Sequence, residues 1–219
     1  MADSDKLTKL RRQIDEIDNQ ILQMLERRQG LSREIVKQKG RGSDVFRPDR
    51  EASLLRNLIA SHKGVEASLI SALWRTIISA SIAEQKPDYL IAHSADAKTI
   101  SQNHAAGFLN EQAFENAKTA MDALKAGHAD CALIHHRELD EIAGSLGKNT
   151  GFVIISRTPL LALSDDETGY IIAKTLPNPT GDDITILRDE AGQIHHKEGY
   201  LQAPLLPDQE IIGIYAKPF

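Results

Sequence analysis

The sequence predicts a multi-domain fold: three helices in an all-α domain over residues 1–87, then an α/β or α+β domain over residues 88–219. Three observations carry this. Apolar residues recur at Leu7, Leu10, Ile14, Ile17, Ile21 and Met24, then Leu31 and Ile35, alternating steps of three and four. That is the period of one helix face. Pro87 closes a later helical pattern, and after it the rhythm changes to short apolar runs between turn signals. Charge shifts at the same place. Residues 1–87 hold 16 Lys+Arg and 12 Asp+Glu, whereas the remainder holds 10 and 19.

The elements follow in order. Helix one is expected from about Asp5 to Lys39, with Asp3, Ser4 and Asp5 as capping candidates and Gly40-Arg41-Gly42 as its stop. At 1.5 Å per residue it is a rod of roughly 50 Å, too long to bury its stripe alone, so it needs helices from another copy. Residues 43–47 read as a loop. Helix two begins at Pro48, a good first helical residue, and runs to about Ser61. Helix three runs from about Glu66 to Gln85, with Leu69, Ile70, Leu73, Trp74, Ile77, Ile78 and Ile82 on one side. Beyond Pro87, Tyr89–His93 is a short apolar run, Ala113–Ala126 a helix pattern, Asp130–His135 a buried strand and Glu138–Leu146 helical. Phe152–Ser156, Tyr170–Leu176, Ile184–Leu187, Ile194–Leu201 and Ile211–Ala216 read as strands. Pro177-Asn178-Pro179, Ala191-Gly192 and Pro207-Asp208 supply turns between them.

Composition excludes several classes. A 41% hydrophobic content supports a real core, and 5% aromatics suit an aliphatic one. The basic half lacks the dense Lys/Arg run that nucleic-acid binding needs. One cysteine, Cys131, permits no intrachain disulfide and fits a reducing compartment. MADSDKLTKL has no apolar signal core, and no apolar stretch reaches about 18 residues. The expectation is a cytoplasmic chain without a membrane span.

The helical half poses one question. The seam position between Met24 and Leu31 is Arg28. On a helical wheel Arg28 and Lys39 project within about 20° of each other, roughly 16 Å apart along the axis. Arg11 flanks the same seam but lies roughly 25 Å from Arg28. An antiparallel partner with a two-fold axis near residue 22 would set its Arg11 between Arg28 and Lys39. The geometry predicts a homodimer with two shared sites. A seam arginine can instead pair with an acidic neighbour such as Asp18 or specify register. Elsewhere, Pro-Asp-Arg-Glu can be no more than a favourable helix start, with Glu51 against the N-terminal dipole. Trp74, Ile78, Ser81 and Gln85 are spaced by four, three and four, so Ser81 and Gln85 continue an apolar stripe with hydrogen-bonding groups.

LTKLRRQIDEIDNQILQMLERRQGLSREIVKQK, then RPDREASLLRNL, then LWRTIISASIAEQ resembles the all-helical class of chorismate mutases, in order and spacing over about residues 5–87. The resemblance implies an intertwined homodimer of three-helix subunits that rearranges chorismate to prephenate, on the route to phenylalanine and tyrosine. It implies that Arg28, and Arg11 from the partner chain, hold the two substrate carboxylates. Lys39 and Gln85 match the donors to the ether oxygen, and Glu51 the acceptor of the ring hydroxyl. Arg50 and Ser81 match supporting positions. One substrate-binding position departs: Arg47, on the hydroxyl side, stands where relatives often carry an aspartate. The implied reaction is pericyclic and uses no nucleophile, metal or cofactor.

Seven of eight histidines follow Pro87, including His135-His136 and His195-His196. Adjacent strand residues point to opposite faces, and no Cys/His spacing supports zinc. FENAKTAMDALKAGHADCALIH is similar in style to a passage of prephenate-dehydratase-like domains, common fusion partners of chorismate mutases. Ile134-His135-His136-Arg137 stands where a catalytic motif would be sought, so this domain is expected to be non-catalytic or regulatory, with an aromatic amino acid as effector. Two other readings stay open: isochorismate pyruvate lyase activity of the same cationic cage, and a helical dimerisation module serving a C-terminal ligand-binding domain.

Overall fold

The computed structural model describes residues 2–39, 45–161 and 164–219. The stop signal Gly40-Arg41-Gly42 and the first loop residues 43–44 lie outside them, as do the side chains of Asp3 and Ser4. Helix α1 spans Ala2–Lys39, α2 Pro48–Ser61 and α3 Ala67–Gln85. Next come β1 (Leu90–Ser94), α4 (Lys98–Ala105), β2 (Asn110–Phe114), α5 (Ala117–Lys125) and β3 (Cys131–His135). The short α6 (Leu139–Ile142) precedes β4 (Val153–Thr158), β5 (Gly169–Ala173), β6 (Asp183–Asp189), β7 (Ile194–Glu198) and β8 (Gln209–Ala216). By packing the chain divides into Met1–Asp44 and Val45–Phe219. The change of rhythm at Pro87 therefore does not coincide with a change of compact unit.

The first unit is α1. Leu7, Leu10, Ile14, Ile17, Ile21, Met24, Leu31 and Ile35 are all exposed on the isolated chain. A stripe this long is far from a scatter of single surface apolar residues, and such stripes mark contact surfaces.

The second unit is an eight-stranded mixed sheet in the order β2-β1-β3-β5-β4-β8-β6-β7. Strands β2, β1 and β3 run parallel, joined through α4 and α5; β5 is antiparallel to both β3 and β4, and β8 pairs with β4 in parallel and β6 antiparallel. Side chains of β3 alternate between two cores, as the period of two requires. Ala132 and Ile134 enter a cluster with Met121, Leu124, Leu139, Ile142, Ile154 and Ile172. Cys131 and Leu133 enter a second with Phe46, Ile82, Ile100, Val153, Ile155 and Ile171. Helices α5 and α6 thus cover one face, and α3 and α4 the other. Helix α2 joins through Ala52 and Leu55, which pack with Ile70, Leu160 and Ala216. Arg56 fixes α2 further by donating to Thr180 Oγ1 (2.9 Å) and to the backbone oxygens of Asp182 (2.8 Å) and Lys217 (2.6 Å).

Three sequence expectations need correction. Residues 113–126 are not one helix: Ala113 and Phe114 belong to β2, and α5 starts only after Asn116. Asn116 Oδ1 accepts from the Thr119 amide (3.0 Å) while Thr119 Oγ1 accepts from the Asn116 amide (3.2 Å), a reciprocal cap that fixes the start. Helix α4 went unforeseen because its buried face is Ile100, Ser101, His104 and Ala105, only one of them a large aliphatic. The pair His135-His136 does not obey strand alternation: β3 ends at His135 and the rings lie 4.6 Å apart.

Gly213 on β8 shows how tight the sheet is. A Cβ there would collide with the Ile154 side chain and stand 2.9 Å from Ile154 O. Gly213→Ala is expected to destabilise the fold by at least about 1–3 kcal/mol, the usual range for overpacking, read as a lower midpoint in urea unfolding with an unchanged slope.

Candidate active site

The start of α2 gathers charge in a half-buried setting. Asp49 and Glu51 lie in its first turn, where the helix dipole favours anions, and both are buried. Arg47 Nε and Nη2 donate to the two Asp49 oxygens (3.1 and 2.8 Å), a fork-to-fork pair, and Asn178 Nδ2 donates a third bond (3.0 Å). Burial pushes the Asp49 carboxyl up, but the hydrogen bonds from Arg47 and Asn178 and the Arg47 charge outweigh it and hold it below the usual carboxylate range. The Arg47 departure noted above is therefore a partner of Asp49.

Glu51 faces α3. Arg75 Nη1 donates to both Glu51 oxygens, at 2.7 and 2.8 Å. Arg75 Nε donates to Ser79 Oγ (3.2 Å), one turn on, and Ser79 Oγ donates to His104 O in α4 (2.9 Å). Ser79 is fully buried. The Phe46 ring meets the His104 imidazole edge-on, centroids 5.3 Å apart, and the Arg75 guanidinium carbon lies 6.0 Å from the Phe46 centroid. His104 Nδ1 lies 3.3 Å from Thr158 Oγ1. Burial, and then the Arg75 charge, push the His104 imidazole well below its ordinary range.

The other sequence candidates distribute as follows. Ser81 is buried and donates to Ile77 O (2.8 Å); half-buried Gln85 donates Nε2 to Ser81 O (3.0 Å), so the two share one turn of α3. Arg50 is exposed. Arg11 is exposed and Arg28 half-buried, both on α1. Lys39 is the last residue of α1, but its side chain lies outside the described residues. Glu51, Ser81 and Gln85 thus belong to the sheet-bearing unit, and Arg11, Arg28 and Lys39 to the first. Sequence reasoning missed Arg75 and Ser79. Their signal was present as two polar residues four apart beside the apolar stripe of α3.

Polar groups also collect at the C-terminal ends of β1 and β3. Glu138 Oε2 accepts from Ser94 Oγ (2.5 Å) and from the His135 amide (2.8 Å), and His135 Nε2 donates to Asp166 O (3.1 Å). These bonds close the turn after β3. Among the described residues no group of three His, Cys, Asp or Glu side chains is placed to hold a metal, and no helix is long and apolar enough to cross a membrane.

Comparison with known proteins bears on the helical part. Residues 10–86 match the family model described as chorismate mutase type II. A bifunctional chorismate mutase/prephenate dehydratase of Pseudomonas aeruginosa is 30% identical over 94 residues, 40% of this chain and 26% of that protein. A protein of the same description from Stutzerimonas stutzeri is 26% identical over 129 residues, 56% of this chain and 35% of that protein. The chain thus spans about a quarter to a third of the length of these relatives. One solved structure, described as GqqA, a novel type of quorum quenching acylases, aligns over 58% of this chain and 94% of its own, at 14% identity. Its TM-score is 0.37, too low for a shared fold to follow. The resemblance of the helical segment to chorismate mutases therefore holds, followed here by a mixed eight-stranded sheet.

His104 gives this cluster a pH signature. The unfolded chain takes up its proton near the ordinary value of 6.5, while the folded chain refuses it until the pH is well lower. Its contribution is intact above pH 6.5 and is lost as pH falls through that window. His104→Gln is expected to flatten the decline of unfolding free energy on acidification below 6.5, measured by urea titration at several pH values.

Proposed function

We propose that the chain is a chorismate mutase, acting as a homodimer on chorismate in aromatic amino-acid biosynthesis. The observation that carries this reading is the interrupted seam of α1. A stripe of large apolar residues lies exposed on the single chain, and Arg28 sits half-buried within it. In a dimer surface alone a seam cation costs desolvation and is repaid only by an acidic partner or by fixing register. A site for a small dianion needs one. The match of residues 10–86 to chorismate mutase type II supports the same reading.

The mechanism asks for positioning and charge. Chorismate must be held with its enolpyruvyl side chain folded over the ring, so that one C–O bond breaks as one C–C bond forms. No proton, electron or covalent adduct passes to the protein. In this reading the forks of Arg28 and the partner's Arg11 hold the two carboxylates, which suits a planar and permanently charged group. Lys39 and Gln85 donate to the ether oxygen, where negative charge grows as the C–O bond opens. Donors already aimed at developing charge each lower the barrier by roughly 3–4 kcal/mol. Glu51 accepts the ring hydroxyl and so selects the orientation of the ring. Arg50 and Ser81 line the hydroxyl and carboxylate ends, with Arg47 holding Asp49 beside them.

The first test is chorismate consumption by the full chain, with the product identified by chromatography. Prephenate is expected; pyruvate released from isochorismate, with no prephenate from chorismate, would point instead to lyase chemistry, and no turnover of either substrate by a folded dimer to a dimerisation module. Arg28→Ala is expected to lower kcat/KM by about 10²–10³-fold, the scale of removing one partner of a desolvated charge pair. The shared-site geometry adds a sharper outcome. Arg11→Ala and Arg28→Ala chains, each nearly inactive alone, are expected to regain roughly a quarter of normal activity when co-refolded in equal amounts. Half of the dimers are then mixed, and each mixed dimer carries one intact site. Absence of that recovery would exclude sites shared between chains.

A further inference from the structure

We infer that Arg75 is a positioning residue that fixes the Glu51 carboxylate, and that α4 of the sheet-bearing unit holds Arg75 in place to do so. The inference rests on the proposed role of Glu51 as acceptor of the ring hydroxyl, and extends the site to residues that no comparison assigns.

Four observations lead to it. One nitrogen, Nη1, bonds both Glu51 oxygens, which sets the rotation of the carboxylate. A carboxylate offers about four acceptor positions, so this contact does not exhaust it. Nε bonds Ser79 Oγ and Ser79 in turn bonds His104 O, so the guanidinium is held from the side opposite Glu51. The apolar ring of Phe46 closes over the guanidinium and abuts His104, restricting its swing. Finally, Nη2 is buried with no hydrogen-bond partner among the described residues. A buried donor without a partner is costly, so the place of the guanidinium is set by its bonds to Glu51 and Ser79 and not by satisfying every N–H.

The chain of contacts Glu51–Arg75–Ser79–His104 crosses from α2 through α3 to α4. Residues after Pro87 are thereby part of the site's support. A shift of α4 would therefore bear on the orientation of the hydroxyl acceptor.

The test is steady-state kinetics of the full-length chain with chorismate, each variant first shown to be folded by its thermal unfolding. A hydroxyl acceptor bonds ground state and transition state alike, so its misplacement raises KM and leaves kcat nearly unchanged. Arg75→Gln is expected to raise KM by about 10–100-fold, the scale of losing a hydrogen bond to a charged group. Arg75→Lys keeps a donor for Glu51 but loses the bond to Ser79, and is expected to recover part of that loss. Ser79→Ala is expected to raise KM by a smaller factor. In a Glu51→Gln background neither Arg75→Gln nor Ser79→Ala should add to the penalty already present. Penalties that multiply instead, or a fall in kcat with KM unchanged, would overturn the inference and leave Arg75 a structural pair. No turnover by the unaltered, folded chain would remove the mutase reading and this inference with it; turnover with multiplying penalties would remove this inference alone.

Discussion

Every residue of β3 is buried, and its side chains alternate between two separate cores. A strand in that position leaves no face of the sheet free for water, so both faces must be covered by other elements. One cover is local, built by α5 and α6 from the crossover before β3 and the segment after it. The other is not. It needs Ile82 of α3 and Phe46 from the approach to α2, besides Ile100 of α4. The demand for two-sided cover thus draws the second and third helices onto the sheet. Their polar residues inherit that placement, which is how Arg75 and Ser79 come to lie against α4.

Burial then dictates the electrostatics. Asp49 and Glu51 are taken largely out of water at a helix start, and a carboxylate in that setting needs strong donors. Each has an arginine, and the two arginines bond differently. Arg47 reaches Asp49 from two residues away with two nitrogens, a short-range pair fixed by the turn. Arg75 reaches Glu51 across 24 residues with one nitrogen and uses another to reach Ser79. Helix α1 obeys the opposite rule. Its large apolar residues are exposed among the described residues, with Arg28 half-buried in their stripe.

Sequence reading recovered what depends on period and on strong stop signals. Pro48 opens α2 at the expected residue, α3 ends at Gln85 before Pro87, and the apolar runs after residue 130 fall in strands. It failed where short polar residues decide. Asn116 starts α5 through a side-chain cap that hydrophobic pattern does not report, and α4 buries Ser101 and His104 in place of aliphatic residues. The site candidates came from the family resemblance and the broken seam, which point to the same arginine, Arg28. Arg75 was not, because its meaning depends on a contact to Glu51 that no spacing within α3 encodes.

The cover of α2 has a consequence for the order in which the chain can assemble. Ala52 and Leu55 pack with Leu160 and Ala216, and Phe219 lies against the same cluster. Synthesis runs from the N-terminus, so α2 leaves the ribosome well over a hundred residues before part of the surface that buries it. During that interval the apolar underside of α2 lacks part of the surface it packs on. The final packing of α2 therefore waits on the last strand, and until then the growing chain exposes apolar surface of the kind that favours misassembly.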